Sequence, residues 1–164
     1  MAENVNANYF VVLYYHYETF SLLQLEELIS CHTLFCTSHA LSGRVRLATE
    51  GINGTLGGSQ ASITAYIQWM QLQHHSFHNI DWKTSWSTTL PFKDLIIRKV
   101  SEIVSMEIEN DKCPINASGI HLSPQEFHNM AQDHEKTILI DVRNQYEYKY
   151  VYQLKKHQYV HFIM

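Results

Sequence analysis

Several features that define common classes of protein are missing from this sequence. Among its 164 residues there are only three cysteines and no C-x-x-C pair, so neither a disulfide framework nor a zinc site of familiar spacing is indicated. No apolar run approaches the roughly 18 residues of a membrane span. No lysine or arginine precedes an apolar run at the N-terminus, which argues against a secretory signal. We therefore expect reduced thiols and a cytoplasmic location, with Cys31 on the buried side of a helix.

Signatures of cofactor and metal binding are missing as well. The glycine-rich stretch 43–58 lacks the Lys-Ser/Thr of a P-loop, and its spacing does not fit a dinucleotide-binding turn. Two groups of histidines have helical spacing, but the first has no carboxylate or cysteine beside it at metal-site spacing, and the second lies in the C-terminal tail. The groups are His74, His75 and His78, and His157 with His161. The sequence therefore predicts no cofactor and no metal.

Positive charge is missing from the first quarter of the chain. Residues 1–43 contain no lysine or arginine and four glutamates, whereas residues 44–100 have a local excess of three positive charges, although the whole chain has a net charge of −4. The six basic residues are Arg44, Arg46, Lys83, Lys93, Arg98 and Lys99. This distribution fits a surface that binds a polyanion, but six basic residues in 57 are close to the content of an ordinary solvated surface, which is the expectation.

Hydrophobic periodicity predicts five strands and two helices in the first hundred residues. Residues 8–17 are β-branched and aromatic on both alternating faces, which indicates a central strand covered at least in part on both sides. A helix is predicted from Leu22, where apolar residues recur at helical spacing, to the neighbourhood of Cys31-His32. A second helix is predicted from about Gln60 to Gln73, capped by Ser59. Two further strands are predicted, at 80–86 and 95–104.

The stretch 43–58 contains five of the six glycines and predicts a hairpin. Val45 and Leu47 alternate with two arginines, as in a strand with one apolar and one cationic face. Glu50-Gly51 and Asn53-Gly54 are two places where the backbone could reverse, and the return strand is predicted to start at Thr55. Together these elements predict an α+β, ferredoxin-like βαββαβ fold with one extra strand, its two helices on one sheet face. Val45 and Leu47 should then face the helices, with the arginines on the open face.

The remainder of the chain predicts a linker and the start of another unit. Residues 105–120 lose all periodicity and gather Asn, Asp, Pro, Ser and Gly. Ser123–Glu126 forms a capping box with proline at the first helical position, and the helix should run to about Gln132 with Phe127 and Met130 inward. Residues 137–142 are typical of a buried parallel strand. The predicted domains are 5–106 and 121–164, joined by a linker at 107–120.

Three segments in this order and spacing resemble a known family. They are residues 43–58, residues 91–100 (Pro-Phe-Lys-Asp-Leu-Ile-Ile-Arg-Lys-Val), and Leu122–Glu126 followed by residues 139–148 with their Asp-Val-Arg-Asn-Gln-Tyr-Glu block. From about residue 9 to 148 the chain is similar to the rhodanese-domain tRNA uridine hydroxylases and their eukaryotic rhodanese-like relatives. The resemblance implies an acylphosphatase-like N-terminal domain that helps hold tRNA, followed by a rhodanese domain. In bacterial members the pair supports oxygen-dependent hydroxylation of the wobble uridine.

The resemblance places the family's catalytic cysteine in a loop after a later strand of the rhodanese domain. Here the family pattern stops at Tyr148, and no cysteine follows Cys113. We therefore expect a truncated, inactive relative that keeps the tRNA-binding domain and the first helix and strand of an incomplete α/β rhodanese domain. The alternative is a non-enzymatic interaction module from a rhodanese-like, sulfurtransferase-like protein. Acylphosphatase chemistry is not expected, because Glu18 stands where a phosphate cradle needs an arginine.

Candidate site residues follow from these patterns. No catalytic residue is assigned. Arg44, Arg46, Arg98 and Lys99 are the candidates for contact with RNA phosphates. Arg143 and Glu147 match positions of the family, and an arginine–carboxylate pair there would pin the loop after the first rhodanese strand. The aromatic residues could supply stacking platforms for bases, but most of them have core spacing, and a core role is the expectation.

Overall fold

The computed structural model of the protein describes residues 9–104, 119–133, 137–141 and 160–161. The chain divides into two compact units, Met1–Ala117 and Ser118–Met164. All but the last two residues of the linker predicted at 107–120 lie outside the described residues. The two units are considered separately below.

The first unit contains five strands and two α-helices among its described residues. In chain order they are β1 (Tyr9–Tyr17), α1 (Leu22–Ser38), β2 (Ser42–Ala48), β3 (Gly51–Gly58), α2 (Gln60–Gln73), a 3-10 helix (His75–Asn79), β4 (Lys83–Ser87) and β5 (Leu95–Lys99). The strands form one sheet in the order β4-β1-β3-β2-β5. All neighbours are antiparallel except β2 and β5, which are parallel. This order confirms the ferredoxin-like fold with an added edge strand.

The core lies between one face of the sheet and the two helices. Every second residue of the central strands points into it, and the helices contribute residues at helical spacing. The buried side chains include Val12, Tyr14, Val45, Leu47, Ile52 and Leu56 from the sheet, and Leu25, Leu28, Cys36, Ile63, Tyr66 and Met70 from the helices. The hydroxyl groups of Tyr14 and Tyr66 hydrogen-bond to each other in the centre of this core, and burial raises the pKa of both.

The return strand of the hairpin begins at Gly51, four residues before its predicted start at Thr55. Ala48 pairs with Gly51, so the reversal takes place at Thr49-Glu50. Gly51 has a φ of +152°, which side-chain-bearing residues rarely adopt. Asn53 and Gly54 therefore lie inside β3, and Gly54 packs directly against the ring of Tyr14. The prediction that Asn53-Gly54 could form the turn is wrong. Gly54 is needed there because it has no side chain, which leaves room for the ring of Tyr14.

Helix α1 continues to Ser38, about two turns beyond its predicted end near Cys31-His32. His32 and Cys36 extend the buried stripe of the helix, and His32 is fully buried. The prediction that Cys31 is buried is wrong: Cys31 is exposed and Cys36 is the buried thiol. The helix end was predicted too early because His32, a polar residue, interrupts the apolar spacing in the sequence. Its burial depends on partners from another helix, such as Met70.

Other predicted strands differ in extent or in cover. β4 begins at Lys83 rather than 80, and β5 ends at Lys99 rather than 104. β1 is buried on the face of Val12 and Tyr14 and covered only in part on the other, where Val11 is half-buried and Leu13 and Tyr15 are 49% and 63% exposed. The predicted cover on both sides is therefore complete on one face and partial on the other. Apolar residues on both faces of a strand indicate sheet structure, but they do not show that a second layer is present.

The second unit contains α3 (Pro124–Ala131), β6 (Ile140–Asp141) and β7 (Val160–His161) among its described residues. The capping box is present, since Ser123 and Glu126 bond each other's backbone N–H groups. Phe127 and Met130 are about half exposed, so their predicted inward orientation is wrong. The strand predicted at 137–142 is reduced to β6, which pairs in parallel with β7, and Ile138 and Ile140 are exposed. Capping depends on four adjacent residues, whereas burial requires a packed layer.

The Glu-Gly-Ile-Asn segment at the hairpin holds the chain that follows β5. The backbone N–H of Ile103 donates to Glu50 Oε1 over 2.7 Å, and the Ile103 carbonyl accepts from Asn53 Nδ2 over 3.1 Å. The Ile103 side chain is fully buried. Glu50 and Asn53 therefore satisfy both polar groups of one buried peptide segment, which is a structural role for the motif.

Replacing Asn53 with alanine should lower the free energy of unfolding by about 1–3 kcal/mol, because the Ile103 carbonyl would lose its partner. Chemical denaturation of the full chain measures this difference. Thr55→Ala is the matched control, since Thr55 lies two residues further along β3 on the same face and has no bond to Ile103. Equal stability of the two variants would contradict the structural role of Asn53.

His32 should make the protein less stable as the pH falls. Burial lowers the pKa of His32 to about 4, and its Nδ1 lies 2.7 Å from the Leu28 carbonyl. Below the ordinary pKa of about 6.5 the unfolded chain takes up a proton that the folded chain refuses, so stability decreases with pH until about pH 4. Between about pH 7 and about pH 4.5 this single group should remove on the order of 2 kcal/mol.

The measurement is the free energy of unfolding of the wild type and of His32→Gln at both pH values. The wild type should lose more stability on acidification than the variant, whatever their absolute stabilities. His75→Gln, a change at an exposed histidine, is the matched control and should behave as the wild type does. Identical pH dependence in wild type and His32→Gln would contradict the buried, uncharged state of His32.

Candidate nucleic-acid interface

The sheet face opposite the helices, here called the open face, carries exposed cations beside apolar residues. Strand pairing places its side chains in two rows. One row crosses β1, β3, β2 and β5 as Leu13, Thr55, Arg44 and Ile96, and the next crosses the same strands as Tyr15, Asn53, Arg46 and Arg98. Val45 and Leu47 are buried against the helices, so the predicted orientation of Arg44 and Arg46 is confirmed.

Arg46 and Arg98 lie directly opposite each other on parallel strands β2 and β5. Both are exposed, and within the described ranges no carboxylate stands within ion-pair distance of either. Like charges at opposed positions of a sheet repel each other. An anion placed between the two guanidinium groups would relieve this repulsion, so the pair favours negatively charged ligands.

The guanidinium group of Arg44, on the interior strand β2, is held by Asp94, the residue before β5. Its Nη2 lies 2.6 Å from Asp94 Oδ1, and its Nη1 donates to the Asp94 and Gly43 carbonyls over 2.9 Å each. Both side chains are about half exposed, so the ion pair contributes little to stability but fixes the guanidinium direction. Asp94 also reduces the net charge that Arg44 presents to a ligand.

These three arginines border a concave surface with a volume of about 280 Å³. Its lining consists of Arg44, Val45, Arg46, Ile96 and Arg98. Three guanidinium groups around one depression provide many N–H donors and no carboxylate among the lining residues. The arrangement is chemically suited to phosphate oxygens, which guanidinium groups bind in bidentate geometry.

Lys99 lies on the other face of the sheet. It is opposite Leu47 in the register, and its Nζ lies 2.6 Å from Glu26 Oε1 on helix α1. The structure therefore brings together three of the four predicted RNA-binding residues and separates the fourth. Adjacent residues of a strand face opposite sides, so this separation of Arg98 and Lys99 was accessible from the sequence.

Tyr15 and Leu13 are exposed on the open face and were not predicted as candidates. Their exposure follows from the alternation of β1, in which Val12 and Tyr14 occupy the core. The sequence indicates that alternate residues of β1 face opposite sides of the sheet. It does not indicate which set is buried, because both sets are aromatic or aliphatic. Tyr15 also contacts Tyr17 edge to face, with ring centroids 6.3 Å apart.

The histidines at the end of α2 serve local structure. His74 caps the 3-10 helix and its Nδ1 lies 2.8 Å from Ser76 Oγ, so this segment is an ordered turn. A hydrogen bond from Ser76 lowers the pKa of Glu18, which keeps a carboxylate in the loop after β1. Over the part of the chain that is described, no three His, Cys, Asp or Glu residues are placed to hold a metal ion.

Several predicted residues cannot be placed. Arg143, Glu147, Cys113 and His157 lie outside the described residues, and Asp141 and His161 are described by their backbone alone. The loop pair of Arg143 and Glu147 therefore stays a prediction. Among the helices that the structure describes, none has the length and apolar character to cross a membrane.

Comparison with known proteins identifies relatives of the first unit and of most of the chain. The family model of the UPF0176 acylphosphatase-like domain matches residues 9–103. Proteins named tRNA uridine(34) hydroxylase from Staphylococcus aureus strains JH9 and Newman are each 37% identical to this chain over 141 residues. The match covers 86% of this chain and 43% of each relative, so the chain spans less than half the length of these relatives.

Solved structures resemble the chain more distantly. The BLUF protein BlrB in its dark state gives a TM-score of 0.45 at 14% identity, over 58% of this chain and 74% of that protein. An acylphosphatase from Coxiella burnetii gives a TM-score of 0.34 at 9% identity, over 59% of this chain and all of that protein. The fold assignment therefore rests on strand order and on the family match.

Proposed function

Because this chain belongs to the family of the UPF0176 acylphosphatase-like domain, we propose that its first unit binds tRNA in a protein that hydroxylates uridine 34. The name of its relatives supplies the substrate and the reaction. Because the match covers only 43% of these relatives, the hydroxylation of uridine 34 is itself proposed here rather than shown. The proposal includes a cytoplasmic location, where tRNA would be encountered, and assigns no catalytic residue to this chain.

The observation that carries the proposal is the pair of Arg46 and Arg98 on the open face. Both charges are exposed, opposed and without a carboxylate partner in the described part of the chain, and Arg44 borders the same depression. RNA phosphates satisfy such a surface, since each neutralised phosphate also releases counterions. The face is open because both helices pack on the other side of the sheet.

We also propose that the second unit belongs to a rhodanese-like domain, with domain boundaries near 106 and 121. Support comes from the capping box at Ser123–Glu126 and from the strand at Ile140–Asp141, both at positions that the family resemblance implies. In this arrangement Arg143 and Glu147 would pair in the loop that follows the strand.

Replacing Arg46 and Arg98 together with alanine should weaken tRNA binding by roughly 10- to 100-fold at low salt. The slope of log affinity against log salt should become less steep by roughly 1.4 to 1.8, because two phosphate contacts are lost. Fluorescence anisotropy of labelled tRNA over a salt series measures both quantities.

The double variant has a matched control in Lys99→Ala, which removes a positive charge one residue from Arg98 but on the helix side of the sheet. This control should bind as the wild type does. The proposal would be contradicted by the absence of measurable tRNA binding, or by equal effects of Lys99→Ala and of the double substitution of Arg46 and Arg98. Binding by a protein that never hydroxylates uridine would instead favour the non-enzymatic interaction module.

Asp94→Asn should strengthen tRNA binding by about 2- to 10-fold at low salt, with the gain disappearing at high salt. The change removes a negative charge beside the depression and releases Arg44 from its ion pair. Glu27→Gln, which removes an exposed negative charge from helix α1, is the control for net charge alone. Equal gains in the two variants, or weaker binding by Asp94→Asn, would mean that Arg44 is not part of the interface.

A further inference from the structure

The row Tyr15, Asn53, Arg46 and Arg98 places an exposed aromatic ring and two exposed cations on the strands of one face. Neither cation has a carboxylate partner among the described residues. We propose that these side chains hold a single-stranded segment of RNA that crosses the sheet beside Asn53, over Leu13, Thr55 and Arg44, with one unpaired base stacked on Tyr15 and the adjoining phosphates on Arg46 and Arg98. This inference rests on the proposed function, because it specifies which part of an RNA the open face receives.

The ring of Tyr15 is available for stacking. The residue is 63% exposed, and its edge-to-face contact with Tyr17 occupies at most one of its two faces. Tyr14 is engaged inside the core with Tyr66 and Trp82, and the exposed Trp86 on β4 packs against Phe10. A single exposed tyrosine is common on protein surfaces, so the argument depends on what lies beside it.

The distances in the row fit a nucleotide strand. Neighbouring strands are about 4.8 Å apart, so Tyr15 is roughly 10 Å from Arg46 and roughly 14 Å from Arg98 along the row. A four-stranded sheet that presents aromatic residues and cations in this way accommodates about two or three splayed bases. The apolar side chain of Leu13, which is 49% exposed, lies in the adjacent row of the same face.

Charge complementarity decides the kind of partner. The lining of the depression has three guanidinium groups, and Asp94 is the acidic group that bonds one of them. A polyanion is therefore favoured over an acidic or neutral apolar partner. Stacking further requires bases that are not already paired, because paired bases within a helix cannot lie on a protein ring. The combination selects a single strand rather than a duplex.

The segment after β5 sets one limit of this surface. Its Ile103 carbonyl bonds Asn53 in the middle of the row, between the strands of Tyr15 and Arg46. At the opposite end, Pro91 packs over Gly57, where even a Cβ atom would lie 2.5 Å from Pro91 Cγ. The strand would therefore cross the sheet between these two covered positions, over Leu13, Thr55 and the arginines.

The test compares a labelled single-stranded RNA with its duplex, using the full chain and three substitutions of Tyr15. Tyr15→Ala and Tyr15→Leu should weaken single-strand binding by roughly 5- to 150-fold, the range of one base–aromatic stack, whereas Tyr15→Phe should bind as the wild type does. The leucine variant keeps an apolar side chain of similar reach, so it separates stacking from simple burial. The salt slope should be unchanged in all three variants, because no cation is removed.

A second readout uses a single strand that contains 2-aminopurine, whose fluorescence is quenched by stacking. Quenching should occur with the wild type and Tyr15→Phe and should be lost with Tyr15→Leu. Unchanged urea denaturation would show that the variants remain folded. Wild-type affinity in Tyr15→Leu, or a duplex bound as tightly as the single strand, would overturn the inference while leaving the arginine dependence of tRNA binding intact. Loss of that arginine dependence would instead overturn the proposed function.

Discussion

The alternation of β2 between a covered and an open face is the constraint on which the structure depends. Val45 and Leu47 are buried beneath the helices, and Arg44 and Arg46 must then lie on the opposite side. A slip by one residue would expose both apolar side chains and bury two guanidinium groups. Each apolar side chain contributes about 1.5–3 kcal/mol on burial, and an unpaired buried charge costs several kcal/mol, so the register has no competitive alternative.

The edge strand β5 adds Arg98 to the face that carries Arg44 and Arg46, and so completes the candidate site. Its parallel pairing with β2 places Arg98 opposite Arg46 and Lys99 opposite Leu47. The pairing is fixed at both ends, because Gly43 N–H donates to the Asp94 carbonyl and Val100 N–H donates to the Leu47 carbonyl, each over 2.9 Å. Two neighbouring basic residues thus acquire different roles: one joins the cationic face and the other binds Glu26 on the helix side.

The glycine-rich stretch 43–58 has a structural role, and its glycines are not the residues that would contact a ligand. Gly43 and Gly51 adopt positive φ values of +139° and +152°, and Gly57 allows Pro91 to pack on the sheet. Glu50 and Asn53 hold the backbone of Ile103. The most recognisable motif of the sequence therefore builds and closes the sheet, while the residues that face a ligand are the arginines and the tyrosine placed between these fixed points.

Local patterns in the sequence determined the order of strands and helices along the chain, the α2 helix from Gln60 to Gln73, both serine caps and the orientation of Arg44 and Arg46, because capping and periodicity act within a few residues. Only the tertiary structure decided the length of α1, the extent of cover on each face of β1, and the pairing that places Arg98 beside Arg46 and Lys99 on the other face. His32 is buried because its partners Trp69 and Met70 come from α2. Tyr15 is exposed because the segments that reach its face of the sheet cover Asn53 and Gly57 instead. These outcomes depend on contacts between residues far apart in the chain, and a local pattern does not contain the identity of a distant partner.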